Sequence, residues 1–171
     1  MGTKRLRIAM AAFMAGFLLF GVGYVEAETS AANPSGLPIP RFVSLRSNEV
    51  NLRTGPGLTY PIEWIYKRKA MPVEVVEEFD TWRKIRDWEG SEGWVHQSML
   101  DGKRSFLVTS PEVYEMRLAP DHGAHPAARL SPGVIGDLLE CGPAWCRADV
   151  QGYRGWVERS RIFGVLPEET F

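Results

Sequence analysis

Beyond its first 27 residues the chain shows no run of apolar positions at the helical spacing of about 3.6. It shows short alternations of apolar and polar residues, each cut off by turn formers. Val73-Glu74-Val75 alternates between Met71-Pro72 and a turn at Asp80-Thr81, and Arg83 to Asp87 follows as its partner. Trp88-Glu89-Gly90-Ser91 turns the chain again, and Gly93-Trp94-Val95 makes the closing strand. The pattern predicts an all-β protein.

The same pattern occurs twice, offset by 62 to 64 residues. Val50-Asn51-Leu52-Arg53 aligns with Tyr114-Glu115-Met116-Arg117, Pro56 with Pro120, and Val75-Val76-Glu77 with Leu138-Leu139-Glu140. Trp82 falls on Trp145, and Gly93-Trp94-Val95 on Gly155-Trp156-Val157. A unit of about 60 residues buries little surface. The recurring indoles, Trp82, Trp94, Trp145 and Trp156, are therefore expected to fill the two cores.

Residues 1–27 read as a secretory signal: Lys4, Arg5 and Arg7 precede an apolar run from Ile8 to Val25, with a small-residue cleavage site at Val25-Glu26-Ala27. An uncleaved segment would instead anchor the chain in a membrane. Residues 28–41, rich in Pro, Ser and Ala, read as a disordered linker. Export predicts a periplasmic or secreted protein. Without the signal, 17 basic and 20 acidic side chains remain, so nucleic acid is not an expected partner. Lys67-Arg68-Lys69 and Arg83-Lys84-Arg86 are interleaved with Glu74, Glu77, Glu78, Asp87 and Glu89, which reads as a solvated face.

Cys141 and Cys146, exported to an oxidising compartment, are expected to form a disulfide. At the repeat offset they fall on Glu78 and Arg83, which suggests one cross-strand contact made by an ion pair in one unit and by a covalent bond in the other. The competing reading takes the two cysteines with His122 and His125 as a zinc set, although C-x4-C is a loose spacing for it. No metal or cofactor is expected. His96 reads as structural. A hydrolase finds no G-x-S-x-G and no cysteine in the first unit, so the expectation is binding without turnover.

The segments "VNLRTGPGLTYPIEW", "MPVEVVEEFDTWRKIRDWEG" and "EGWVHQSML" resemble those of bacterial SH3 domains, and the whole chain is similar to secreted alphaproteobacterial proteins carrying two such domains in tandem. The resemblance implies two small SH3-like barrels, at 42–108 and 109–167, the second more divergent because "MRLAPDHGAHP" loses both loop glycines. In the first, Arg53, Gly55, Pro56 and Gly57 would shape a long loop, the glycines by adopting angles forbidden to other residues, and Arg53 by bonding loop carbonyls or reading a ligand. Tyr60, Trp64, Tyr66 and Trp88 would line a peptide groove or pack one barrel against the other. The function this implies is an exported, non-catalytic module for peptidoglycan peptide or an envelope protein. The alternatives are an adaptor joining envelope proteins and an accessory subunit of a cell-wall hydrolase.

Overall fold

The computed structural model describes residues 33–171, so the predicted signal and the start of the linker lie outside the described residues. Seven strands form the first sheet: β1 (Arg41–Leu45), β2 (Val50–Arg53), β3 (Ile62–Tyr66), β4 (Pro72–Phe79), β5 (Trp82–Arg86), β6 (Glu92–His96) and β7 (Leu100–Asp101). Seven more form the second: β8 (Ser105–Val108), β9 (Tyr114–Arg117), β10 (Pro126–Leu130), β11 (Ile135–Cys141), β12 (Trp145–Val150), β13 (Tyr153–Glu158) and β14 (Ile162–Phe163). The strand orders, β3-β2-β6-β5-β4-β1-β7 and β10-β9-β13-β12-β11-β8-β14, match step for step. The duplicated pattern is a duplicated all-β topology.

The unit boundaries differ from the sequence reading. Ser105–Val108, assigned above to the first unit, is the leading strand of the second sheet and pairs with β11 and β14. The second unit also runs past residue 167: the amide of Cys141 bonds the Phe171 carbonyl at 2.8 Å, and Arg104 pairs with Glu169 and stacks over the Phe171 ring. At the other end, residues 33–41 are held rather than free. Ser35 donates through Oγ (2.7 Å) and its amide (2.9 Å) to the Glu78 carboxylate, which Arg41 meets at 2.6 Å.

Both cores are mainly aliphatic. The first gathers Leu45, Val50, Leu52, Val73, Val75, Ile85 and Val95, and the second Phe106, Val108, Met116, Leu138, Ala148 and Val157. The tryptophans expected there belong to neither cluster, although Trp82 is buried, 8% exposed. Strand parity explains the difference. In Gly93-Trp94-Val95 the inward positions are Gly93 and Val95, and a Cβ on Gly93 would lie 2.6 Å from Leu52 Cγ. Trp94 is turned outward against Lys84 and Arg53, its cross-strand partners, and Trp156 likewise against Arg147 and Arg117.

The two sheets dock. Phe42 and Phe163 meet edge to face at 4.9 Å, Ile135 of the second sheet packs on the first core, and Arg68 Nη2 donates to the Gly133 carbonyl at 2.6 Å. The aromatic pair at this junction is therefore Phe42 and Phe163, not the four candidate groove residues.

Candidate functional site

The loop after β2 shapes the site. Its ends are closed by the Thr54 amide on the Pro61 carbonyl (3.1 Å), and Arg53 Nη1 donates inward to the carbonyls of Leu58 (3.2 Å) and Tyr60 (2.7 Å). Neither Gly55 nor Gly57 has a positive φ, contrary to the expectation of forbidden angles. The reason for Gly55 is space: the Tyr60 ring lies where a Cβ would project. The second unit has Ala119 and Ala124 at these two positions, so the carbon gained at one is matched by the ring lost at the other. Arg117 repeats the clamp, donating to the Ala124 carbonyl at 3.0 Å.

The pinned loop holds Leu58, 77% exposed, over the outer face of the first sheet, above a cleft of about 290 Å³. Glu49, Asn51 and Arg53 form one wall, and Trp82, His96 and Met99 the other. Trp82 and His96 are cross-strand partners on β5 and β6, in edge-to-face contact at 5.4 Å. His96 is fixed in turn because its Nδ1 lies 2.7 Å from Ser98 Oγ. The result is a cleft in which the Trp82–His96 pair and Met99 lie beside apolar Leu58. Such a surface suits a small apolar or peptidic ligand.

The corresponding place in the second unit is built from Tyr114, Glu115, Arg117, Glu158 and Arg161 in a smaller cleft of about 190 Å³. Met99 has become Arg161, His96 has become Glu158, and Leu58 has become His122. His122 packs at a tilt against Trp145, ring centres 5.1 Å apart, and sits 3.6 Å from Glu158. Burial pushes the Tyr114 phenol above its ordinary value, so it stays neutral. One frame thus carries an apolar cleft and a charged one.

The four sequence candidates are not brought together. Tyr60 is on the loop, Trp64 on edge strand β3, and Trp88 on the β5–β6 turn, all three exposed. Tyr66 is 4% exposed and part of the first core, its hydroxyl donating to Asp87 Oδ2 at 3.0 Å. It pairs with the buried Val50 and shares its inward face. Burial, then the Asp87 charge, holds this phenol well above its ordinary value. The cleft residues Trp82 and His96 had a signal that went unread: Trp82 shares strand parity with Lys84 and Arg86, which marks an outer face.

Cys141 and Cys146 are joined by a disulfide at the β11–β12 step, so the zinc reading loses both sulfur ligands. At the equivalent step Glu78 and Arg83 are cross-strand partners with a 3.2 Å ion pair. Glu78 was read as solvent-facing, yet its side chain is fully buried. Burial alone would raise its pKa, but the Ser35 and Arg41 bonds prevail and hold it below the usual value.

A family model described as a bacterial SH3 domain matches residues 46–102 and again 110–164. The chain is 21% identical over 128 residues to the putative N-acetylmuramoyl-L-alanine amidase YrvJ of Bacillus subtilis strain 168, a match covering 69% of this chain and 24% of that protein. The chain thus spans about a quarter of that relative. Among solved structures, NlpC2 from Trichomonas vaginalis aligns with a TM-score of 0.34 and 11% identity, over 74% of this chain and 48% of that one. An NlpC/P60 family protein from Bacillus cereus ATCC 10987 aligns at 0.33 and 14%, over 71% and 55%.

Proposed function

Because the chain belongs to the bacterial SH3 family, with two domains in tandem, we propose that it is an exported, non-catalytic module of the cell envelope whose first domain binds peptidoglycan peptide. The observation that carries this reading is the cleft between Leu58 and the Trp82–His96 pair, held open by the Arg53 clamp. The relative named as an amidase, matched over 69% of this chain, supports the wall as the setting. Rigid aromatic side chains give contact area at small entropic cost, which suits recognition of a short peptide. Binding without turnover fits the side chains in hand: at the cleft His96 Nδ1 is engaged by Ser98, and the two cysteines, both in the second domain, are bonded to each other.

Retention of the purified protein on isolated sacculi tests the proposal. Wild type is expected to be retained, and Leu58→Asp, at an exposed loop position, to lose about tenfold in affinity by placing a charge against an apolar wall. Unchanged retention of Leu58→Asp, or none for wild type, contradicts it. A second reading, an adaptor between envelope proteins, draws on the exposed Ile62, Trp64 and Ile65 of edge strand β3. It expects protein adducts on cross-linking in cells, lost in Trp64→Glu.

A further inference from the structure

The second domain carries a depression that the first has filled. Where the first domain has Tyr66 and Trp88, the second has Leu130 and Val150, and Glu63 and Trp64 are replaced by Ala127 and Ala128. The smaller side chains leave a hollow of about 380 Å³ between β10 and the β12–β13 turn, with Arg129 and Tyr153 exposed beside it. Ala127 to Leu130 all line it. Successive side chains of a strand point to opposite faces, so a hollow touching four in a row runs along the strand's edge. β10 is an edge strand, and its unpaired amides and carbonyls are a template for one more strand.

The hollow does not end at the second domain. Val134 and Gln151 also line an adjoining depression that crosses the junction to Lys67, Arg68 and Lys69 of the first domain. Lys67 is paired with Glu49 at 2.5 Å and Arg68 is turned onto Gly133, while Lys69 enters no ion pair among the described residues. No carboxylate lines either depression, so the groove is apolar at one end and basic at the other. The basic triplet read above as a solvated face is one wall of an inter-domain groove.

We propose that this groove binds an extended acidic peptide. Its main chain lies beside β10, an apolar side chain enters the hollow near Tyr153, and its carboxylates lie along Lys67 to Lys69. A polyanion without side chains would use only the basic end. A peptide uses both the strand edge and the hollow. The site is separate from the Trp82–His96 cleft, so its failure leaves the proposed wall binding standing.

The test is fluorescence anisotropy of a rhodamine-labelled peptide of alternating Ala and Glu, titrated with the purified protein. Saturable binding is expected, at least about tenfold weaker for Lys69→Glu and for Ala128→Trp, and unchanged for Leu58→Asp. Ala128→Trp restores the residue that the first domain exposes at this register, so folding should survive, and circular dichroism checks it. Binding that persists in Ala128→Trp overturns the proposal. So does equal binding of an Ala-Gln peptide or of polyphosphate, or no saturable binding at all.

Discussion

The two domains share one topology but solve the same local problems with different chemistry. At the β4–β5 step of the first, the cross-strand pair is Glu78 and Arg83, clasped from outside by Ser35 and Arg41. At the β11–β12 step of the second it is Cys141 and Cys146, with the chain end clasped at Phe171 instead. The contact has been kept and its chemistry exchanged. The outer clefts show such an exchange at the surface: the position stayed, but Leu58, His96 and Met99 gave way to His122, Glu158 and Arg161. Buried geometry constrains a side chain through its neighbours, whereas a cleft wall is free to change its ligand.

Breaking the two cross-strand pairs should therefore cost unequal amounts. Glu78→Gln leaves half-buried Arg41 and buried Arg83 without their carboxylate, and a loss of about 3–5 kcal/mol is expected in urea unfolding. Replacing both Cys141 and Cys146 by Ala should cost less, about 2 kcal/mol, because the closed loop is short. Equal losses would undo the claim that the ion pair is the more exacting solution.

A smaller effect separates the loops. Gly55→Ala forces a carbon into the Tyr60 ring and should cost about 1–3 kcal/mol. Adding Tyr60→Ala, which copies the second domain's Ala119 and Ala124, should restore part of it, as a double-mutant cycle would measure. Simple additivity would refute the steric account.

The mildest effect is on pH dependence. Glu78, and Glu169 in the second domain, have folded pKa values below the ordinary 4.5: for each, burial pushes upward but hydrogen bonds and positive charge prevail. Stability from a lowered carboxylate is complete above the unfolded value and disappears as pH falls through the folded one. Unfolding free energy should thus be flat above about pH 5 and fall below it, with a shallower fall in Glu78→Gln. An unchanged acid slope in that variant would speak against Glu78 as a source.

Much of this frame was legible in the chain. The offset that put Glu78 and Arg83 over Cys141 and Cys146 located a real cross-strand step, because duplication preserves register. Trp82 is buried as expected, but Trp94, Trp145 and Trp156 are not, because strand parity outweighs hydrophobicity: Trp94 sits between inward Gly93 and Val95 and must face out. Tyr66 was misplaced for the opposite reason, its polar tip concealing a ring buried by pairing with Val50. The Ser35 clasp left no trace in a segment rich in Pro and Ser, since its partner lies 43 residues away. The cleft was legible only in part: strand parity marks Trp82 as outward, but Trp82 and His96 meet only through the β5–β6 pairing.

The outer cleft of the first domain is the proposed ligand site. Amide chemical shifts of the isotope-labelled protein, recorded while soluble peptidoglycan stem peptide is added, test it directly. Saturable shifts at Leu58, His96 and Met99, with His122, Glu158 and Arg161 still, are the expected result. Shifts confined to the second domain, or none in either cleft, would contradict it.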